Sequence, residues 1–215
     1  MNRFKPWLYV GGIAWLGLII LAMGIITHAS WINLIDQPIM HLASVFRSPT
    51  NTAAMRVVAQ IFSPVVMSVV ALIVIALTWR FNRSLALWTT VTYFGGSAVA
   101  WVLKKVVNRP RPTGQLLPDQ SASFPSGHTI CMLLLGIIAS AVAYYYFQDA
   151  EQRFVVVILA ILGLILVICA RLYLRNHYGT DILGSLLSGT AWSSTTVALW
   201  RGKLIREVTS DAIQE

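Results

Sequence analysis

Charge is what this chain has least of. Only 11% of its 215 residues are Asp, Glu, Lys or Arg, and the 8 acids are outnumbered by 16 bases. So few charges cannot cover the surface of a soluble domain, whereas a chain 57% hydrophobic with mean hydropathy of +0.70 suits an all-α integral membrane protein. Cysteine is equally scarce. Cys131 and Cys169 both fall in apolar runs without metal-ligand spacing, which excludes a disulfide scaffold and makes them plain core thiols. No internal repeat or low-complexity linker divides the chain, so 1–215 reads as one transmembrane domain. No cleavable leader is expected either, because the first apolar run, from Pro6, is too long for one and reads as a retained span. A net charge of +8 and a pI near 9.9 would ordinarily invite nucleic acid. No basic, aromatic-interleaved soluble face exists to bind it, and the bases here flank spans, where they set topology and meet anionic head groups.

What is present is apolar length. Runs near the ~20 residues needed to cross a bilayer recur six times. They cover approximately Trp7 to Ile26, Val57 to Trp79, Ser84 to Leu103, Gly127 to Phe147, Phe154 to Ala170 extended toward Leu174, and Ile182 to Trp200. The expected architecture is a six-transmembrane-helix bundle ending in a short polar tail, 201–215. Pro64 should kink the second span. Between spans one and two, Trp31 to Arg56 is neither span nor polar loop. Asp36 is expected to cap a short interfacial helix whose apolar face is Ile35, Ile39, Leu42 and Phe46. His28 and His41 in this region read as ordinary interfacial residues.

Six spans put both termini on one side with eight lysines and arginines, and the other eight of the 16 on the opposite side. Six of that second group crowd into polar clusters, where a catalytic role would explain their position. Discounting them places the termini in the cytoplasm and the clusters outside.

Three clusters emerge on that one face. Lys104-Lys105-Val-Val-Asn-Arg109-Pro-Arg111-Pro112 follows the third span, Phe124-Pro125-Ser126-Gly127-His128 opens the fourth, and Arg171 to Asp181 joins the fifth to the sixth. Ionisable groups at a bilayer boundary point to function. Lys104, Arg111 and Arg171 supply positive charge for phosphate oxygens, and an arginine fork binds two oxygens at once. Ser126 and Gly127 offer a hydroxyl and free N–H groups at a helix N-terminus. His177, with Asp181 four residues on to orient its ring, reads as a nucleophile, and His128 as the general acid. Lys105 and Arg109 read as interfacial anchors, Tyr173 and Tyr178 as interface aromatics.

In these motifs the chain resembles the type 2 phosphatidic acid phosphatase superfamily, whose pattern is K-x6-R-P, then P-S-G-H, then S-R-x5-H-x3-D. Lys104 to Pro112, Pro125 to His128, and Arg171 through His177 to Asp181 match it in order, over roughly Leu103 to Gly184. One position departs: the serine before the arginine is Ala170. The compact chain is similar to the bacterial phosphatidylglycerophosphatase B type. The resemblance implies a phosphohistidine on His177, hydrolysed by water with His128 as base, and no metal or other cofactor. It implies a lipid phosphate substrate in the bacterial plasma membrane: phosphatidylglycerophosphate, undecaprenyl diphosphate or phosphatidic acid. The site would be extracytoplasmic, and no obligate protein partner is expected. A lipid transporter would explain the charges but not the His177–Asp181 pairing. A phosphotransferase would use the same intermediate with a different acceptor. Vanadium haloperoxidases share the constellation but are soluble.

Overall fold

A computed structural model describes the backbone of residues 5–211 and the side chains of residues 6–200. Among the described residues there are eight helices and no strand. Five segments are long and apolar enough to cross a membrane. In them lie α1 (Lys5–Ile26), α3 (Pro49–Ile61) with α4 (Pro64–Phe81), α5 (Arg83–Val107), α6 (Gly127–Tyr146) and α7 (Ala150–Tyr173). The remaining helices are α2 (Ser30–Val45) and α8 (Gly179–Asp211). The backbone of the expected polar tail is therefore helical as far as Asp211, and residues 212–215 lie outside the described residues.

Local chemistry sets the helix ends. Ser48 and Ser63 accept the N–H groups of Asn51 and Val66, each followed by a proline at the first helical position. Asn82 likewise caps α5 through Leu85 at 2.8 Å. Pro64 does more than kink the second span: it begins a new helix after a break at Phe62 and Ser63. A proline ring has no N–H to give and crowds the preceding turn, so the ladder restarts there.

Two apolar clusters hold the bundle. Met67, Leu85, Trp88, Tyr93, Ile130, Leu134, Ile138 and Val167 join α4, α5, α6 and α7. Leu18, Leu21, Ile25, Ile32 and Phe124 join α1 and α2 to the segment that precedes α6. Small residues let α5 approach its neighbours: at Gly95 an added Cβ would strike the Trp192 indole on α8, and at Gly96 the Leu134 side chain on α6. Thr92 and Thr196 hydrogen bond across the α5–α8 seam at 3.0 Å. The outside is apolar, with Leu16, Ile19, Val69, Ile73, Leu159 and Leu162 all more than half exposed, as lipid contact requires. Cys131 is buried, but Cys169 is on the outer surface and is not the core thiol expected.

Helix α2 corrects the expectation for its segment. Asp36 does not cap a helix but sits inside one, and the face that buries is Ile32, Asp36 and Met40. Of the expected face, Leu42 and Phe46 are exposed. The carboxylate faces inward because it has a buried cation to meet.

Candidate functional site

All three polar clusters lie at one end of the bundle, and backbone geometry fixes them there. Asn108 ends α5 in the left-handed region (φ 43°, ψ 41°), turning the chain into the connection that runs to Ser126. That connection is pinned to the end of α7. Leu116 N–H donates to the Leu174 carbonyl at 2.9 Å, and Asn176 Nδ2 donates to Leu117 O at 2.6 Å and Gln115 Oε1 at 3.1 Å. Gly179 starts α8 where a Cβ would collide with Ile39.

His177 lies in the short turn between α7 and α8 and is fully buried. Its Nδ1 is 2.8 Å from the Ser123 carbonyl oxygen. A carbonyl can only accept, so Nδ1 carries the proton and Nε2 the lone pair. That lone pair faces two guanidinium groups, Arg111 Nη1 at 3.3 Å and Arg171 Nη2 at 3.5 Å. Burial pushes the His177 pKa down to about 4; Asp181 opposes this, while Arg171 and Arg111 reinforce it. The ring is therefore neutral near pH 7, as a nucleophile must be.

The cations around it are held in different ways. Arg111 donates to Ser121 O at 2.7 Å and Asn176 O at 2.8 Å, and pairs with Asp119 at 2.7 Å. Burial works against charge on both partners. It lowers the Arg111 pKa, with Asp119 opposing; on Asp119 the Ser121 N–H and Arg111 outweigh it and hold the carboxyl below its usual range. Lys104 reaches the Ala122 carbonyl. Arg171 is 1% exposed, has no acidic partner, and its Nε has no acceptor at all. A buried donor left unpaired costs about 1–3 kcal/mol, so Arg171 is a guanidinium prepared for an anion. Ala170, fully buried beside it in the last turn of α7, brings no hydroxyl to that anion.

Ser126 is the N-cap of α6. Its oxygen accepts the Thr129 hydroxyl at 3.0 Å, and its N–H donates to Ser185 Oγ on α8 at 2.8 Å. Gly127 and His128 are the first helical residues, where N–H groups have no partner within the helix. The His128 Nε2–H donates to the Ala59 carbonyl on α3 at 3.2 Å, leaving Nδ1 for proton exchange. Direct contacts thus join His177, Asp181, Arg111 and Arg171. Lys104 and His128 stand at the same end of the bundle without a direct bond to His177.

Asp181 lies in the first turn of α8 with its Oδ2 3.6 Å from His177 Nδ1, farther than the Ser123 carbonyl. The same oxygen accepts the Tyr178 N–H at 2.9 Å, and Oδ1 accepts from Arg109 at 2.7 Å. Arg109 is no interfacial anchor. It pairs with Asp36 at 2.6 Å as well as with Asp181, donates to Thr180 Oγ1, and lies over the Tyr178 ring. Burial opposes its charge, yet the two carboxylates hold its pKa above the usual arginine value. Asp36 also accepts the Thr180 N–H at 2.8 Å. Tyr173 is not an interface aromatic either: it is buried, and its hydroxyl bonds Ser48 and Thr52 on α3. Lys105, by contrast, is exposed and lies 5.9 Å from the Trp101 ring, as an anchor would.

Reading the sequence missed Ser123, Asn176, Asp119, Asp36 and Arg109. Only Asp36 had a usable signal, an acid at i+4 from Ile32 and i−4 from Met40 on an apolar stripe. Among the described residues, no group of three or more His, Cys, Asp and Glu side chains is placed to hold a metal ion.

The sequence signature of the PAP2 superfamily matches residues 79–204. Among solved structures, the chain is similar to a transmembrane PAP2-type phosphatidylglycerolphosphate phosphatase from Bacillus subtilis. The TM-score is 0.78 at 24% identity, over 89% of this chain and 96% of that one. It is also similar to LpxE from Aquifex aeolicus, with a TM-score of 0.59 at 17% identity, over 76% of this chain and 94% of that one. No sequence among curated proteins matches.

Proposed function

The chain belongs to the PAP2 superfamily, and from that premise we propose that it is a membrane phosphatase hydrolysing lipid phosphate or diphosphate esters through a phosphohistidine on His177. The observation that carries this reading is the His177 tautomer, with Nδ1–H on the Ser123 carbonyl and the Nε2 lone pair between Arg111 and Arg171.

In the first step Nε2 attacks phosphorus. The N–P bond forms, the ester P–O bond breaks, and its electron pair leaves on oxygen, which takes the Nδ1 proton of His128 in its imidazolium form. Lys104, Arg111, Arg171, Ser126 and the Gly127 N–H neutralise the three equatorial oxygens. In the second step water attacks phosphorus while His128 takes its proton. The P–N bond then breaks, and phosphate and neutral His177 are restored. The ring carries positive charge only while phosphorylated, and Asp181 lies beside Nδ1 to meet that charge. No step calls for a metal.

Six crossings, with α8 as the sixth and α2 at the interface, put both termini on the cytoplasmic side of a bacterial plasma membrane. The site then opens on the outer face, where phosphatidylglycerophosphate, undecaprenyl diphosphate and phosphatidic acid diffuse laterally to it. The similar Bacillus subtilis protein is a phosphatidylglycerolphosphate phosphatase, which supports the first of these.

The test is phosphate release by purified protein from a panel of lipid mono- and diphosphates, with chelator present and with or without alcohol acceptors. Release that persists in chelator and needs no acceptor, with an acid-labile phosphoenzyme that disappears in His177→Ala, supports the proposal. Full turnover in His177→Ala overturns it.

A further inference from the structure

Arg109 is not among the residues that touch the expected phosphate, yet among the described residues it is the one cation paired with two carboxylates. It has ion pairs at 2.6 Å and 2.7 Å to two carboxylates whose side chains are 3% and 0% exposed. Two such acids would be mutually repulsive without it. The acids come from different helices: Asp36 from α2 and Asp181 from α8. Asp36 also accepts both the N–H and the hydroxyl of Thr180, the residue between Gly179 and Asp181. Nothing in the phosphate chemistry itself requires a triad of this kind behind the nucleophile.

We propose that Arg109 and Asp36 are positioning residues for the His177 reaction. Arg109 holds Oδ1 of Asp181 so that Oδ2 faces His177, and Asp36 shares the charge of Arg109 so that Asp181 is not neutralised outright. Burial does not conflict with this, because the two carboxylates paired with Arg109 offset the cost of taking its charge out of water. The consequence is electrostatic as well as steric. While His177 is free, its Nδ1 proton rests on the Ser123 carbonyl, and the Asp181 charge is partly spent on Arg109. Once Nε2 bonds phosphorus, the ring becomes cationic, and the 3.6 Å contact with Oδ2 becomes a charge-to-charge contact.

This inference rests on the His177 reading above. The charged and titratable groups facing His177 are Asp181 from α8, Arg171 from α7, Arg111 from the connection before α6, and His128 from α6. Those facing Asp181 are His177, Arg109, Lys104, Arg111 and Tyr178. Removing one cation from this set, while the rest stay, returns negative charge to His177.

The experiment compares the acid limb of kcat/KM for one soluble phosphate monoester across three variants of the full chain, so that the ionisation of the substrate cancels. In Arg109→Gln the limb moves to higher pH by about one unit, and kcat falls about tenfold with KM little changed. In Arg109→Lys the charge remains, so the limb stays with the wild type while kcat falls. In Asp36→Asn a negative charge is lost, and the limb stays at or below its wild-type position. An unmoved limb in Arg109→Gln, or equal shifts in Gln and Lys, reduces Arg109 to a structural strut and overturns the proposal. Should Arg109→Gln fail to fold, a limb in Asp36→Asn above the wild type does the same. Turnover surviving in His177→Ala would instead remove the underlying reading, so the two failures are distinct.

Discussion

His177 gives its Nδ1 proton to the backbone of Ser123 at 2.8 Å, while the carboxylate of Asp181 stands off at 3.6 Å. A main-chain carbonyl therefore sets the tautomer, and under the proposed mechanism the acid is left to stabilise charge on the ring. These two tasks separate experimentally.

Asp181→Asn keeps the tautomer and loses the charge. It is expected to lower kcat by about a hundredfold, as loss of one strong electrostatic contact does, while the phosphoenzyme still forms. His177→Ala should leave only background release. His128→Ala, tested with an aryl phosphate whose leaving group needs no proton, should accumulate labelled phosphoenzyme. Rapid-quench labelling and steady-state kinetics distinguish the three.

Asp119 is placed to compete with a bound anion for Arg111. Its side chain is 34% exposed and pairs with Arg111 at 2.7 Å. A partly exposed pair is worth up to about 1 kcal/mol, so freeing Arg111 should tighten an anionic analogue by about fivefold. Vanadate, which imitates pentacoordinate phosphorus, should inhibit Asp119→Asn at correspondingly lower concentration than wild type. An unchanged or weaker inhibition constant would mean that Asp119 orients Arg111 and does not withhold it.

Stability should fall as pH is lowered from about 6.5, the usual histidine value. The buried His177 ring resists protonation until about 4. Between those values an unfolded chain binds a proton that the folded chain refuses, which favours unfolding. Thermal melting in detergent across pH 4.5–7 should show this slope, and His177→Gln should reduce it.

Gly184 on α8 faces the ring of Phe124, and a Cβ there would collide with it. Phe124 is fully buried and immediately precedes Pro125 and Ser126. Gly184→Ala should therefore displace the start of α6 and cost activity on every substrate alike. At Gly12 an added Cβ meets nothing within 4 Å. Gly12→Ala should leave both activity and melting temperature intact, which makes it the matched control.

Spans were legible because hydropathy needs no partner: α1, α5, α6 and α7 lie where long apolar runs put them. The residues named from motifs were legible because each cluster abuts a span end, and span order alone carries them to one face. The pairing of Asp36 with Arg109 was not, since the two lie 73 residues apart and neither segment points to the other. Each residue alone has a commonplace explanation, a cap for one and a membrane anchor for the other. Ser123 was invisible for a different reason. It acts through its carbonyl, which every residue possesses, so its side chain carries no hint of the role.

The interruption at Phe62 and Ser63 has an effect well beyond the shape of its helix. In an unbroken helix the carbonyl of Ala59 would be consumed by the N–H of Ser63, four residues on. Here that N–H turns to Gln60, and the liberated oxygen takes the Nε2 proton of His128 instead. Pro64, outside every sequence motif but packed beside Gly127, thereby decides which nitrogen of the His128 imidazole is left free. A smoother second helix would leave His128 with a proton to place and no fixed tautomer.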